Sequence, residues 1–143
     1  MEWIKKIGSR ELVVVACPHC DKLLNLPGDE TKIRVRLKAG EEQGTLLLSA
    51  IWGDYQSGEE GIKVKSGEVC AMFCPHCGLS LQAEEPCKTC GATMTVFKFA
   101  SGAIAICNRK GCQMHLRSEN ATITARERLV LSVSAWGGPY ERL

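Results

Sequence analysis

No stretch of this 143-residue chain approaches the 18 uncharged apolar residues that would span a bilayer; its apolar runs are short, such as Leu12 to Ala16. Aromatic residues are scarce: three Trp, two Tyr and three Phe. That is little bulk for a core that must stand on packing alone. Charge of one sign is lacking as well, and a net +2 does not select nucleic acid, membrane or acidic protein as a partner. The chain shows no Ser/His/Asp set, no carboxylate pair in a catalytic motif and no phosphate-cradling glycine loop. The expectation is a protein that is not an enzyme. With 45% apolar and 24% charged residues, the composition excludes a disordered tail and a collagen-like repeat.

The start, Met1 to Lys6, is charged, yet no apolar stretch of signal-peptide length follows it. Val14-Val15-Ala16-Cys17 loosely matches a lipoprotein cleavage box, but Arg10 and Glu11 stand where its hydrophobic run belongs. The expected compartment is therefore cytoplasmic and reducing, with no membrane partner.

What the chain has in excess is cysteine. Eight of its nine cysteines fall into four pairs: Cys17-Pro-His-Cys20, Cys74-Pro-His-Cys77, Cys87-Lys-Thr-Cys90 and Cys107-Asn-Arg-Lys-Gly-Cys112. In a reducing compartment such pairs point to metal ligation rather than to structural disulfides, and an odd count fits full disulfide pairing badly. A tetrahedral zinc ion is satisfied by four thiolates presented from two tight turns. Eight paired cysteines thus make two sites of four, holding two zinc ions. Iron is the alternative, because four thiolates suit either metal. Gly78 and Gly91 follow two of the pairs directly and can close a knuckle with positive φ, while Asp21 holds that place after Cys20.

Between the pairs the chain reads as short strands, giving a mostly β fold of small antiparallel sheets stapled by the two metal sites. Lys32 to Lys38 alternates basic and apolar without a break, the mark of a half-buried strand. Leu12–Ala16, Thr45–Trp52, Ile62–Lys65 and Val69–Phe73 read as further strands. Met94–Phe99 and Ala103–Cys107 read as a hairpin across Ala100-Ser101-Gly102. Trp3, Ile4 and Ile7 suit one amphipathic helical turn, and Ala121–Trp136 suits a strand. The polar stretch Leu81 to Pro86 suggests two units: 1–82, a β-rich domain, and 83–143, which holds the hairpin and a C-terminal extension.

The segment Cys87 to Cys112, with its C-x2-C and C-x4-C ends around a hairpin, resembles a zinc ribbon of the kind repeated at the C-terminal end of type I topoisomerases. The repeated Cys-Pro-His-Cys resembles the two knuckles of a rubredoxin-like ribbon, split by a long insertion. These resemblances imply Cys87, Cys90, Cys107 and Cys112 around one metal, and Cys17, Cys20, Cys74 and Cys77 around the other. A rival pairing by spacing joins Cys74/Cys77 to Cys87/Cys90 and leaves Cys17/Cys20 to meet Cys107/Cys112.

Other residues have plainer readings. His19 and His76 lie inside knuckles already supplied with thiolates, so they read as solvent-facing; His115 is a reserve ligand in place of Cys112. Cys70 reads as a small core residue. Cys-Pro-His-Cys also occurs in thioredoxin-fold oxidases, but no helix can follow Cys20 for more than a turn before Pro27. Lys32, Arg34, Arg36 and Lys38 form a basic strand face that could track phosphates, with Lys63 and Lys65 on a neighbouring strand and Arg109 and Lys110 at the ribbon tip. The aromatic interleaving of single-strand binders is missing, so a solvated face is the simpler reading. The expected function is a zinc-binding, non-enzymatic adaptor acting through a protein partner. Nucleic-acid binding and rubredoxin-like electron transfer by iron are the alternatives.

Overall fold

The computed structural model describes residues 2–118, and among these the fold is all-β and antiparallel, without a helix. The strand expected over Ala121–Trp136 lies outside the described residues. No helix among them is long and apolar enough to cross a membrane.

Among the described residues ten strands form three sheets. β1 (Ile4–Ile7) and β2 (Arg10–Val13) pair as a hairpin whose turn begins at Gly8, with φ of 62°. A two-residue turn of this hand needs positive φ at its first position, which glycine adopts without a Cβ clash. This corrects the helical turn expected over Trp3, Ile4 and Ile7: the tight turn lets the segment satisfy its backbone against β2 instead. Trp3 meets Phe99 edge to face, with centroids 6.4 Å apart.

The largest sheet is built on β4 (Asp29–Ala39). One edge of β4 pairs with β5 (Glu42–Ser49), which in turn pairs with β6 (Ser57–Glu60). The other edge is shared by β3 (Asn25–Leu26) and β7 (Ala71–Phe73). The alternation read in the sequence is realised: Ile33, Val35 and Leu37 are buried, and Lys32, Arg34, Arg36 and Lys38 face out. Ile62–Lys65 forms no strand; β6 comes earlier, at Ser57–Glu60. Gly44 explains the tight passage there. A Cβ on it would stand 2.5 Å from both the Glu60 carbonyl oxygen and Ile62 Cγ2. Lys63 and Lys65 accordingly sit in a loop rather than on a strand beside β4.

The third sheet comprises β8 (Met94–Phe99), β9 (Gly102–Cys107) and β10 (His115–Ser118). Its β8–β9 hairpin is buried on both faces. Phe97, Phe99, Ile104 and Ile106 join the main core with Val15, Val35, Leu37 and Leu81. Met94, Val96, Ala103 and Ala105 turn the other way, toward Ala83, Ala92, Cys87 and Cys107. The second core is therefore made largely of alanine, methionine and cysteine. Small side chains bury little area, so little hydrophobic stabilisation is available on that side.

Backbone pairs tie the sheets together. Ala16 and Lys98 exchange two hydrogen bonds of 2.9 and 2.8 Å. Val96 donates to Leu81 and Ala83 to Met94, so Leu81–Ala83 lies along β8. Cys70 donates to Asn108, and Gly67 and Glu68 exchange bonds with Lys110.

Candidate metal centres

Each Cys-x-x-Cys pair sits in a knuckle built from two backbone bonds. In the first, Asp21 N–H donates to Cys17 O (2.9 Å) and Cys17 N–H to Lys22 O (2.9 Å). The second repeats this at equivalent positions, with Gly78 to Cys74 O (2.9 Å) and Cys74 to Leu79 O (3.0 Å). The third does so again, with Gly91 to Cys87 O and Cys87 to Ala92 O. The residue after the second cysteine takes positive φ in all three: 63° at Asp21, 78° at Gly78 and 80° at Gly91. Asp21 bears that conformation with a side chain, whose carboxylate pairs with Lys98 Nζ at 2.7 Å.

The structure gathers these turns into two sets of four thiols: Cys17, Cys20, Cys74 and Cys77, and Cys87, Cys90, Cys107 and Cys112. Within each set all four sulfurs lie within 4.8 Å of one another. Of the two pairings that the spacing allowed, this is the one in which the hairpin unites its own knuckles. The sulfur separations test what the sets can hold. A tetrahedron with metal–sulfur bonds of about 2.3 Å has edges of about 3.8 Å. Cys17–Cys77 and Cys20–Cys74 are each 3.8 Å apart, Cys87–Cys112 is 3.9 Å and Cys90–Cys107 is 3.4 Å. A disulfide needs about 2.05 Å, and all nine cysteines are free thiols. Donor type, number and spacing thus all fit a tetrahedral thiolate metal.

Electrostatics agree. Backbone N–H groups point at the sulfurs: His19 at Cys17 (3.3 Å), His76 and Cys77 at Cys74 (3.3 and 3.4 Å), and Arg109 at Cys107 (3.4 Å). Such donors favour the thiolate. The Cys17 thiol beside Cys74, with these backbone donors, brings Cys74 down to about 4. Cys17 is raised in turn, by its proton-sharing with Cys74 and by burial. In the second set the Arg109 guanidinium beside Cys90 holds its thiol down, to about 6, while burial raises Cys107. Four adjacent thiolates repel one another, and a divalent cation is the group that relieves this.

His115 stands outside both sets. It lies on β10 against Tyr55 (ring centroids 4.6 Å apart) and Trp52 (6.0 Å), and Cys112 holds its place in the second set. Trp52 and Tyr55 are thus engaged in packing, with Arg117 stacked over Trp52 at 5.1 Å. Cys70 is buried, directly before β7, and belongs to neither set. The four cations of β4 remain exposed, and none is in an ion pair among the described residues. Arg109 and Lys110 are engaged internally. Arg109 donates to the Gly67 carbonyl (2.8 Å), and Lys110 donates to Val64 O (2.8 Å) and pairs with Glu59 (2.9 Å).

Sequence reasoning passed over two buried asparagines. Asn25 accepts from Val15 N–H (2.9 Å) and donates to the Val13 and Glu30 carbonyls. Asn108 accepts from Thr95 Oγ1 (2.6 Å) and donates to Thr93 Oγ1 (2.9 Å). No periodicity announces such residues.

The chain matches no protein-family model, no curated protein and no solved structure.

Proposed function

We propose that this protein is a binding module whose fold is held by two structural zinc ions, one in each four-cysteine set. The observation that carries the reading is the near-tetrahedral spacing of the sulfurs. Four thiolates complete the coordination of zinc and leave no position for a substrate, which supports a structural rather than a catalytic role. The alanine-rich second core supports it too, since a metal there supplies what packing does not. Nine free thiols suit a reducing compartment. The partner class proposed is protein, with the metal-stapled sheets as a rigid adaptor.

A second reading is favoured by the outer face of β4, where Lys32, Arg34, Arg36 and Lys38 stand exposed about 6.6 Å apart along the strand. Such a row could follow a nucleic-acid backbone, with affinity falling steeply in salt. Charge reversal at Arg34 and Arg36 would abolish the salt-dependent component.

Metal content by mass spectrometry, read with the visible spectrum of the same untagged sample, tests the lead reading. Two zinc per chain in a colourless solution is the expected result. Iron with a red, dithionite-bleachable spectrum would replace it with rubredoxin-like electron transfer. A metal-free protein with oxidised cysteine pairs would overturn it.

A further inference from the structure

The two knuckles of the first centre share more than their cysteines. Each carries a histidine third in Cys-Pro-His-Cys, and each ring reaches across to the opposite knuckle. His19 Nε2 lies 2.9 Å from the Ser80 carbonyl oxygen, and His76 Nε2 lies 3.2 Å from that of Leu23. Ser80 is three residues beyond Cys77, and Leu23 three beyond Cys20, so the relation is reciprocal. Both acceptors stand where the chain leaves a knuckle and bridges back to the segment that entered it, Leu23 to Ala16 and Ser80 to Phe73. A carbonyl oxygen only accepts, so each Nε2 carries a hydrogen and serves as donor rather than as metal ligand.

Chain connectivity explains why this centre needs such a device. In the second set, Cys90 and Cys107 are 17 residues apart and joined by the β8–β9 hairpin. In the first, Cys20 and Cys74 are 54 residues apart and come from separate parts of the fold. The knuckle around Cys87 has Lys88 and Thr89 at the inner positions and no ring to reach across. Cys77 is also exposed, so a competing ligand meets the first centre at that thiolate. A knuckle that swings outward there would release the metal.

We infer that His19 and His76 are positioning residues that cross-lock the two knuckles of the first metal centre and slow the release of its ion. This rests on the reading of the four thiols as one metal site. Both rings lie at the surface, so replacing them leaves the hydrophobic core intact. Glutamine retains a donor that can reach a carbonyl, whereas alanine does not.

The test loads wild type, the double variant H19A/H76A and the double variant H19Q/H76Q with zinc. Metal content is confirmed first. Release to a chromophoric chelator is then followed while a thiol alkylator marks freed cysteines, mapped by peptide mass. The expected result is that H19A/H76A loses one of its two ions about tenfold faster than wild type. The early label falls on Cys17, Cys20, Cys74 and Cys77, and the glutamine variant returns toward the wild-type rate. Release of both ions at wild-type rates overturns the cross-lock. Equal acceleration of both ions also overturns it, because it shows a general loss of stability. A wild-type protein that takes up no metal removes the underlying reading, and the initial metal analysis separates that failure from failure of the lock.

Discussion

Arg109 lies between the Cys90 sulfur and the Gly67 carbonyl, favouring the ionised thiolate of the first and donating a hydrogen bond of 2.8 Å to the second. One guanidinium thereby joins the second centre to the loop that leads to Cys70. Replacing Arg109 by glutamine removes the cation and lets the Cys90 pKa rise from about 6 toward its ordinary value. Protons then compete better for the site at neutral pH, so metal is held less tightly. R109Q should release the second-centre ion on the order of threefold faster to a chelator, with the first centre unchanged. Alkylation mapping of Cys90 against Cys77 checks this.

Asn25 is the sole polar side chain serving Val15 N–H and Val13 C=O in the hydrogen bonds described for those groups. N25L would leave both backbone groups unpaired in a buried place. The expected loss is about 2–4 kcal/mol, measured by chemical denaturation of the metal-loaded protein. A loss below about 0.5 kcal/mol would mean that water or a shifted strand satisfies them.

His115 gives a pH signature. Burial holds its imidazole down, to about 4, against an ordinary 6.5. Between these values the unfolded chain binds more protons than the folded one, so this contribution to stability is present above about pH 6.5 and is lost as pH falls. From about pH 7 to about pH 5, wild type should lose about 1–2 kcal/mol more than H115F. Proton competition at the metal centres is common to both proteins and cancels in that difference. Parallel stability curves would show that His115 is solvated.

Cys70 should be silent toward metal. Burial, with Glu68 and Glu59 nearby, raises its thiol pKa, and neither set includes it. C70A should keep two metal ions per chain and cost about 1 kcal/mol for the small void it leaves. Loss of one ion in C70A would make the thiol a ligand in exchange with a neighbouring set.

Much of the fold was legible because its signals are local. The alternation of Lys32 to Lys38 is a property of one strand, and it predicts which side chains are buried wherever that strand lies. The β8–β9 hairpin was legible for the same reason. β1 and β6 were not legible as strands because neither carries an alternating apolar face of its own. Ile4–Ile7 is held by a glycine turn, and Ser57–Glu60 by pairing with β5.

The candidate centres divide in the same way. By itself the sequence determined the donor type, the number of thiols and the tight knuckle turns, since each follows from residues within six positions of one another. It left two cysteine pairings open, because spacing along the chain does not say which knuckles meet after a 53-residue excursion from Cys20 to Cys74. Only the tertiary structure decided that Cys17 and Cys20 face Cys74 and Cys77. The same closure brought His19 to Ser80 and His76 to Leu23. Those contacts join backbone groups and side chains that no short-range pattern relates, so they arise only once the sheets have packed.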